Sequence, residues 1–288
     1  MTTTTTTITT REAQQIALAN SSGRPTALLV HGLWLLAESW DIWRERLESE
    51  GYAVVVAEWP GEREDVEDAR QHPEAFARVG VEEVTDHVAE VAAALDRKPL
   101  LIGHSFGGLL VQRVADRDLA AATVAIDPAP FKGVLPLPAS TLKASFPVLG
   151  NPANRTRTVT LTFDEFRYGF ANAVSEKEAK ALYEKHHVAA PGRPLFQAAT
   201  ANLNPKAATR IDVRRADRGP LLVVSGEKDT IVPRAIAHAA YRLQSRNQSP
   251  TEFVEIEGRG HSLTIDSGWS EVADAALEFA SRHTSAAA

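Results

Sequence analysis

Ser105 is placed for nucleophilic chemistry. Gly103-His104-Ser105-Phe106-Gly107 follows the apolar run Lys98-Pro99-Leu100-Leu101-Ile102 and runs into the helix-like segment Gly108–Val114. A serine at a strand-to-helix turn, with glycine two residues before and after, is how a chain exposes one hydroxyl for attack. Larger residues at 103 and 107 would collide with neighbouring backbone in so tight a turn. By itself G-x-S-x-G is weak: with Gly and Ser each near ~7% usage, roughly one chain in ten of this length contains it by chance. Its meaning comes from its surroundings.

A serine hydroxyl needs a base to take its proton, and the base needs a group to orient it. In a parallel sheet such groups belong at the carboxyl ends of strands, where loops converge. Two segments fit. The apolar run Leu221–Ser225 ends in Gly226-Glu227-Lys228-Asp229-Thr230-Ile231-Val232-Pro233, and Phe253–Ile256 ends in Glu257-Gly258-Arg259-Gly260-His261-Ser262-Leu263. Singly, Asp229 reads equally well as a turn or cap residue and His261 as a loop histidine. Together they give the order Ser, Asp, His with both partners at strand ends. Asp127, also at a strand end, is the rival acid. Attack on a carbonyl builds an oxyanion that requires N–H donors. The backbone N–H of Phe106 is one candidate. Leu33, in the loop His31-Gly32-Leu33-Trp34 after the first clear strand, is the other. His31 and His104 sit where the backbone turns and are expected to shape these loops. Trp34, His104, Phe131, Phe166, Phe170 and Val232 are expected to line a substrate pocket.

The elements that must hold these residues alternate. Strand-like runs occur at Thr26–Val30, Tyr52–Ala57, Leu100–Ile102, Leu119–Ile126, Leu221–Ser225 and Phe253–Ile256. Helical spacing occurs at Glu38–Glu50, Val81–Arg97, Arg234–Leu243 and Glu271–Arg282. Near-continuous apolar strands alternating with helices predict a parallel sheet buried on both faces. The stretch 133–218 breaks the rhythm. It is rich in Pro and Asn at first, then helix-like at Phe163–Phe170 and Ser175–His187, with Ser175-Glu176-Lys177-Glu178 resembling a capping box. A long insertion between two parallel strands is expected to be a lid. The domains are therefore expected to be a core of residues 1–132 and 219–288 and a cap of 133–218. Met1–Thr10 reads as a frayed or edge-strand threonine tract, and Thr284–Ala288 as a loose end.

The 288 residues, 44% apolar, suit one large α/β domain with an insertion. A net charge of -6 argues against nucleic acid as a general partner. The acidic group Glu58, Glu62, Glu64, Asp65, Glu67 and Asp68 is expected to be a solvated loop face, with Arg63 and Arg70 interleaved. With no cysteine there is no disulfide and no thiolate chemistry. Cysteine absence, the lack of a secretory pattern and the lack of a bilayer-length apolar run point to a cytoplasmic protein with no membrane partner. Adjacent His186 and His187 point in different directions on a helix, so they share no metal. No nucleotide or zinc motif is present, so neither a metal nor a cofactor is expected.

On His31-Gly32, Gly103–Gly108, Gly226–Pro233 and Gly260-His261, the chain resembles the α/β-hydrolase family from Thr26 to the last helix. The resemblance implies a mostly parallel, eight-stranded sheet with a mainly helical cap after the sixth strand. There are departures. Glu58 stands where the family often has Asp in the loop Glu58-Trp59-Pro60-Gly61, and the two leading strands are not visible before Thr26. A serine nucleophile separates the chain from haloalkane dehalogenases and epoxide hydrolases. The expected activity is that of a serine hydrolase, cleaving a carboxylic ester or a related thioester, lactone or amide of a small to medium apolar or aromatic substrate. Acyl transfer or cofactor-free perhydrolysis at the same site, and a non-catalytic ligand receptor on the same scaffold, are the alternatives.

Overall fold

The protein was examined as a computed structural model that describes residues 7–284. Its first half contains α1 (Thr10–Ser22), β1 (Thr26–Val30), α2 (Asp41–Ser49), β2 (Ala53–Ala57), α3 (Val66–Gln71), α4 (Val81–Ala93), β3 (Leu100–His104), α5 (Phe106–Ala115) and β4 (Ala122–Ile126). Then follow α6 (Ala139–Leu149), the two-residue β5 (Thr158–Val159), α7 (Phe163–Gly169), α8 (Glu176–His186), the two-residue β6 (Ala190–Pro191) and α9 (Arg193–Ala199). The chain closes with β7 (Leu221–Gly226), α10 (Arg234–Gln244), β8 (Thr251–Ile256) and α11 (Trp269–His283).

The main sheet has the order β2-β1-β3-β4-β7-β8, and every pairing is parallel. Strands β1, β2, β3, β4 and β7 are buried at every residue, which is why their sequences are continuous apolar runs rather than alternating ones. Only the edge strand β8 is partly exposed along its length. One face of the sheet packs under α1, α4, α5, α10 and the 127–220 segment. The other packs under α2 and α11, around Trp40, Trp43 and Phe279.

Among the described residues the main sheet has six strands where the resemblance implied eight, and the element before β1 is the helix α1, which packs on β2. Thr9 and Glu12 form a reciprocal capping box at its start, and Gly23 ends it in the left-handed conformation at φ 66°. Buried Glu12 accepts from the Glu58 N–H at 2.9 Å and pairs with His87 at 2.8 Å, whose other nitrogen meets Thr7 Oγ1 at 2.8 Å. Thr7–Thr10 are therefore neither frayed nor an edge strand. The rest of the threonine tract, and Ser285–Ala288, lie outside the described residues.

The irregular stretch sits between β4 and β7. Its β5 and β6 pair antiparallel. It is fastened to the loop after β1: Trp34 Nε1 donates to the Val159 carbonyl at 3.0 Å, and the Val188 N–H donates to the Trp34 carbonyl at 3.1 Å. Arg70 on α3 adds bonds to the carbonyls of Tyr183, Glu184 and His187. Ser175 caps α8 by accepting from the Glu178 N–H. Only that half of the expected capping box is seen, and the Glu178 carboxylate also receives the Ser267 N–H at 2.7 Å.

Candidate active site

Ser105 is the hinge between β3 and α5. Its backbone is at φ 57° and ψ -120°, a strained region for a residue with a Cβ. The strain is held from both sides: Ser105 N–H donates to the Ile126 carbonyl at 2.9 Å, and its carbonyl accepts from Ala129 N–H at 2.9 Å. The flanking glycines are required by contact. A Cβ on Gly103 would strike the Gly107 carbonyl, and one on Gly107 would strike the Val30 carbonyl. Gly32 also comes close. A Cβ there would lie 2.7 Å from the Ser105 Cβ and 3.0 Å from the His104 carbonyl oxygen. The loop after β1 thus passes directly over the serine.

The three residues separated furthest in sequence meet. Ser105 Oγ lies 2.9 Å from His261 Nε2, and His261 Nδ1 lies 2.6 Å from Asp229 Oδ2. The other Asp229 oxygen accepts the N–H groups of Ile231 at 2.7 Å and Val232 at 2.8 Å. Three donors fix that carboxylate, and Val232 takes part through its backbone. His261 follows Gly260 at the end of β8, and Phe170 lies edge-on against its ring at 4.9 Å. The Ser262 N–H bonds to the Phe170 carbonyl at 2.9 Å. The site is enclosed: Ser105 is only 6% exposed and His261 is fully buried.

Asp127 is close by but does not bond to His261. It is fully buried at the end of β4, with φ at 40°. Its Oδ1 accepts the Gly226 N–H at 2.8 Å, while Oδ2 has no donor among the described residues. Burial first, and the neighbouring Asp229 charge second, push its carboxyl well above the usual range, which favours its protonated form. His104 packs its ring 4.7 Å from His261. Burial, then the His261 charge, hold its pKa well below the usual value, and it stays neutral. Donor atoms of His104, Asp127 and His261 lie within 4.8 Å of one another. Both His261 nitrogens are already committed to Ser105 and Asp229, so a cation there would have to break one of those bonds.

The other candidate pocket residues are spread over two layers. Trp34, at φ 65°, meets Phe170 edge-on at 5.9 Å, and Phe166 stacks on Phe170 at 5.1 Å. Phe131 is buried in the core cluster just beyond β4. Leu33 is buried in the loop next to Gly32, and Phe106 opens α5. The first N–H groups of a helix have no acceptor within it, which leaves that of Phe106 available.

The expectation of a solvated acidic face fails at Glu62. Its side chain is buried, receives the Ala37 N–H at 2.6 Å and the Trp59 N–H at 2.8 Å, and lies 2.9 Å from His31 Nε2. His31 Nδ1 in turn bonds to the Gly32 carbonyl at 2.8 Å. One carboxylate therefore clamps both ends of the Gly32–Leu36 loop. Its only trace in the sequence is its place just after Trp59-Pro60-Gly61, inside a run of acids that masks it.

A family model described as the alpha/beta hydrolase family matches residues 27–275. No curated protein matches the chain. Among solved structures, a monoacylglycerol lipase of Paleococcus ferrophilus is 24% identical with a TM-score of 0.63, covering 91% of this chain and 96% of its own. An extracellular alpha/beta-hydrolase from a Paenibacillus species is 25% identical with a TM-score of 0.62, covering 88% and 98%. A pyrethroid hydrolase is 20% identical with a TM-score of 0.61, covering 91% and 99%.

Proposed function

The chain belongs to the alpha/beta hydrolase family, and from that premise we propose that it is a serine hydrolase cleaving a carboxylic ester or related acyl bond. The observation that carries the proposal is the continuous hydrogen-bonded line from Ser105 Oγ through His261 to Asp229. His261 Nε2 takes the serine proton as Oγ attacks the carbonyl carbon. Asp229 holds the ring with Nδ1–H toward its carboxylate and stabilises the imidazolium that forms. The backbone N–H groups of Phe106 and Leu33 receive the oxyanion, a contribution of about 3 kcal/mol per donor. Collapse releases the alcohol, protonated by His261, and leaves an acyl-Ser105. Water, activated by the same imidazole, then frees the acid.

His261 Nδ1 lies 2.6 Å from Asp229 and makes no bond to Asp127, whose pKa burial raises, which favours Asp229 as the orienting acid. In this reading residues 133–218 form a cap over a core of 1–132 and 219–288. The rings of Trp34, Phe166 and Phe170 pack on one another and Phe170 reaches the His261 ring, which supports a small to medium apolar or aromatic substrate. Ser105 is buried, and in this reading the cap controls substrate entry. A fluorophosphonate probe should label the wild type and not Ser105→Ala, and a panel of p-nitrophenyl esters should be turned over by the wild type and not by His261→Ala. An unlabelled, inactive wild type that is folded would refute the proposal.

A further inference from the structure

We propose that the outer apolar face of the inserted segment docks on the surface of an anionic phospholipid bilayer. Among the described residues, five of the six large apolar side chains left strongly exposed lie in this segment. They are Leu135, Leu137, Leu142, Phe146 and Leu203, at 49 to 88% exposure. Leu142 and Phe146 are one turn apart on α6 and share a face. Asn202 ties the remaining pieces together: its side chain accepts the Gly133 N–H at 2.8 Å and donates to the Val134 carbonyl at 3.0 Å. Leu203 is thereby brought beside Leu135.

Charge identifies the occupant. From 128 to 163 the chain has four cations, Lys132, Lys143, Arg155 and Arg157, and no carboxylate. From 188 to 211 it has three, Arg193, Lys206 and Arg210, again with no carboxylate. The whole chain carries 37 acidic and 31 basic residues, so everything outside these two stretches holds all 37 acids against 24 bases. A protein that is anionic elsewhere carries a local excess of cations in the stretches that hold its exposed leucines and phenylalanine; of the seven, Arg193 is paired with Glu83. That combination is what an interfacial element presents to anionic lipid: apolar side chains for the acyl boundary and basic ones for the headgroups. A second copy of the chain would bring the same cations against themselves. No described helix is long and apolar enough to cross a membrane, so the contact is peripheral. Helix α6 rests on α7, and Phe170 at the end of α7 touches the His261 ring, so the docking face is one helix removed from the buried site.

The test does not depend on turnover and is run on the full chain carrying Ser105→Ala. Flotation with phosphatidylcholine vesicles containing phosphatidylglycerol is compared with flotation on phosphatidylcholine alone. Binding is expected on the anionic vesicles only. It should weaken as salt shortens the screening length from about 10 Å at 0.1 M to about 3 Å at 1 M. Leu142→Ser with Phe146→Ser should cut partitioning by roughly tenfold or more. Leu18→Ser, the one strongly exposed apolar residue outside the segment, should leave it unchanged. If the α6 variant does not fold, Leu135→Ser with Leu137→Ser in the irregular stretch before α6 serves instead. No flotation, equal flotation on both vesicle types, or flotation indifferent to these variants would overturn the proposal. A dimer lost on Phe146→Ser would also overturn it, by assigning the face to a second copy of the chain.

Discussion

Removing the Glu62 carboxylate should slow catalysis without touching any reacting group. Glu62 holds the His31 ring at one end of the Gly32–Leu36 loop and the Ala37 N–H at the other. That loop crosses Ser105 so closely that a Cβ on Gly32 would meet the serine side chain. It also carries Leu33, the second proposed oxyanion donor. Glu62→Ala leaves the N–H groups of Ala37 and Trp59 without an acceptor and His31 Nε2 without its partner. Breaking a buried pair of this kind removes about 3–5 kcal/mol of stability. The catalytic loss follows from geometry. If the loop relaxes far enough to withdraw one oxyanion donor, the barrier rises by about 3 kcal/mol, which is on the order of 100-fold in kcat.

Glu62→Gln separates the two effects. It preserves the shape but turns one acceptor oxygen into a donor, so one of the three bonds is lost and the others are kept. Its stability cost should be about 1–2 kcal/mol, and its kcat should fall roughly 10-fold with KM little changed, since a donor aimed at the transition state acts on kcat. The measurement is a kcat and KM determination on the best p-nitrophenyl ester beside a thermal melt, for wild type, Gln and Ala. A kcat that stays at the wild-type value while the melting temperature falls would refute the argument. Glu62 would then be a structural clamp with no bearing on the oxyanion loop.

Two further outcomes follow from the site. Asp127→Asn should be more stable than the wild type at neutral pH. Burial and the neighbouring Asp229 raise the Asp127 carboxyl above the ordinary aspartate range in the folded chain, so Asp127 contributes stability at low pH that is lost as pH rises, whereas the amide has no such loss. Calorimetry from pH 4 to 8 should show the advantage vanishing near pH 4, where the carboxyl is protonated folded or unfolded; equal destabilisation at every pH would show that Asp127 is ionised. Ser105→Gly should abolish labelling yet raise the thermal midpoint by about 2–4 °C, because glycine relieves roughly 1 kcal/mol of strain at φ 57°, whereas Ser105→Ala should give no such gain.

The parts of the site legible in the sequence are those whose chemistry depends on local pattern. Gly103 is fixed by a contact inside the turn and Gly107 by the neighbouring strand β1, and both fall in a recognisable local pattern, while Asp229 and His261 stand in the loops after recognisable strands. Their side chains are brought within 2.9 Å of one another by a parallel sheet whose order follows from alternating strands and helices. The N-terminal helix was hidden for the opposite reason. Its threonine and polar composition gives a weak amphipathic signal, and what stabilises it is the long-range link from buried Glu12 to His87 and the Glu58 N–H. Propensity read Thr7–Thr10 as loose or strand-like because neither partner is near them in the chain.

Glu62 and Asp127 show the same limit within the active site. Both are carboxyls in loops that follow strands; in sequence nothing separates Glu62 from a solvated acid, and Asp127 reads as a rival to Asp229. Their environments divide them. Glu62 is surrounded by donors and serves as an acceptor for two loops. Asp127 has one donor, the Gly226 N–H, and another carboxylate beside it, and its pKa is raised by burial and by that neighbour. The His261 ring meets Asp229 through Nδ1 and makes no hydrogen bond to Asp127. That difference between two acids at neighbouring strand ends is visible only once burial and surrounding donors are known.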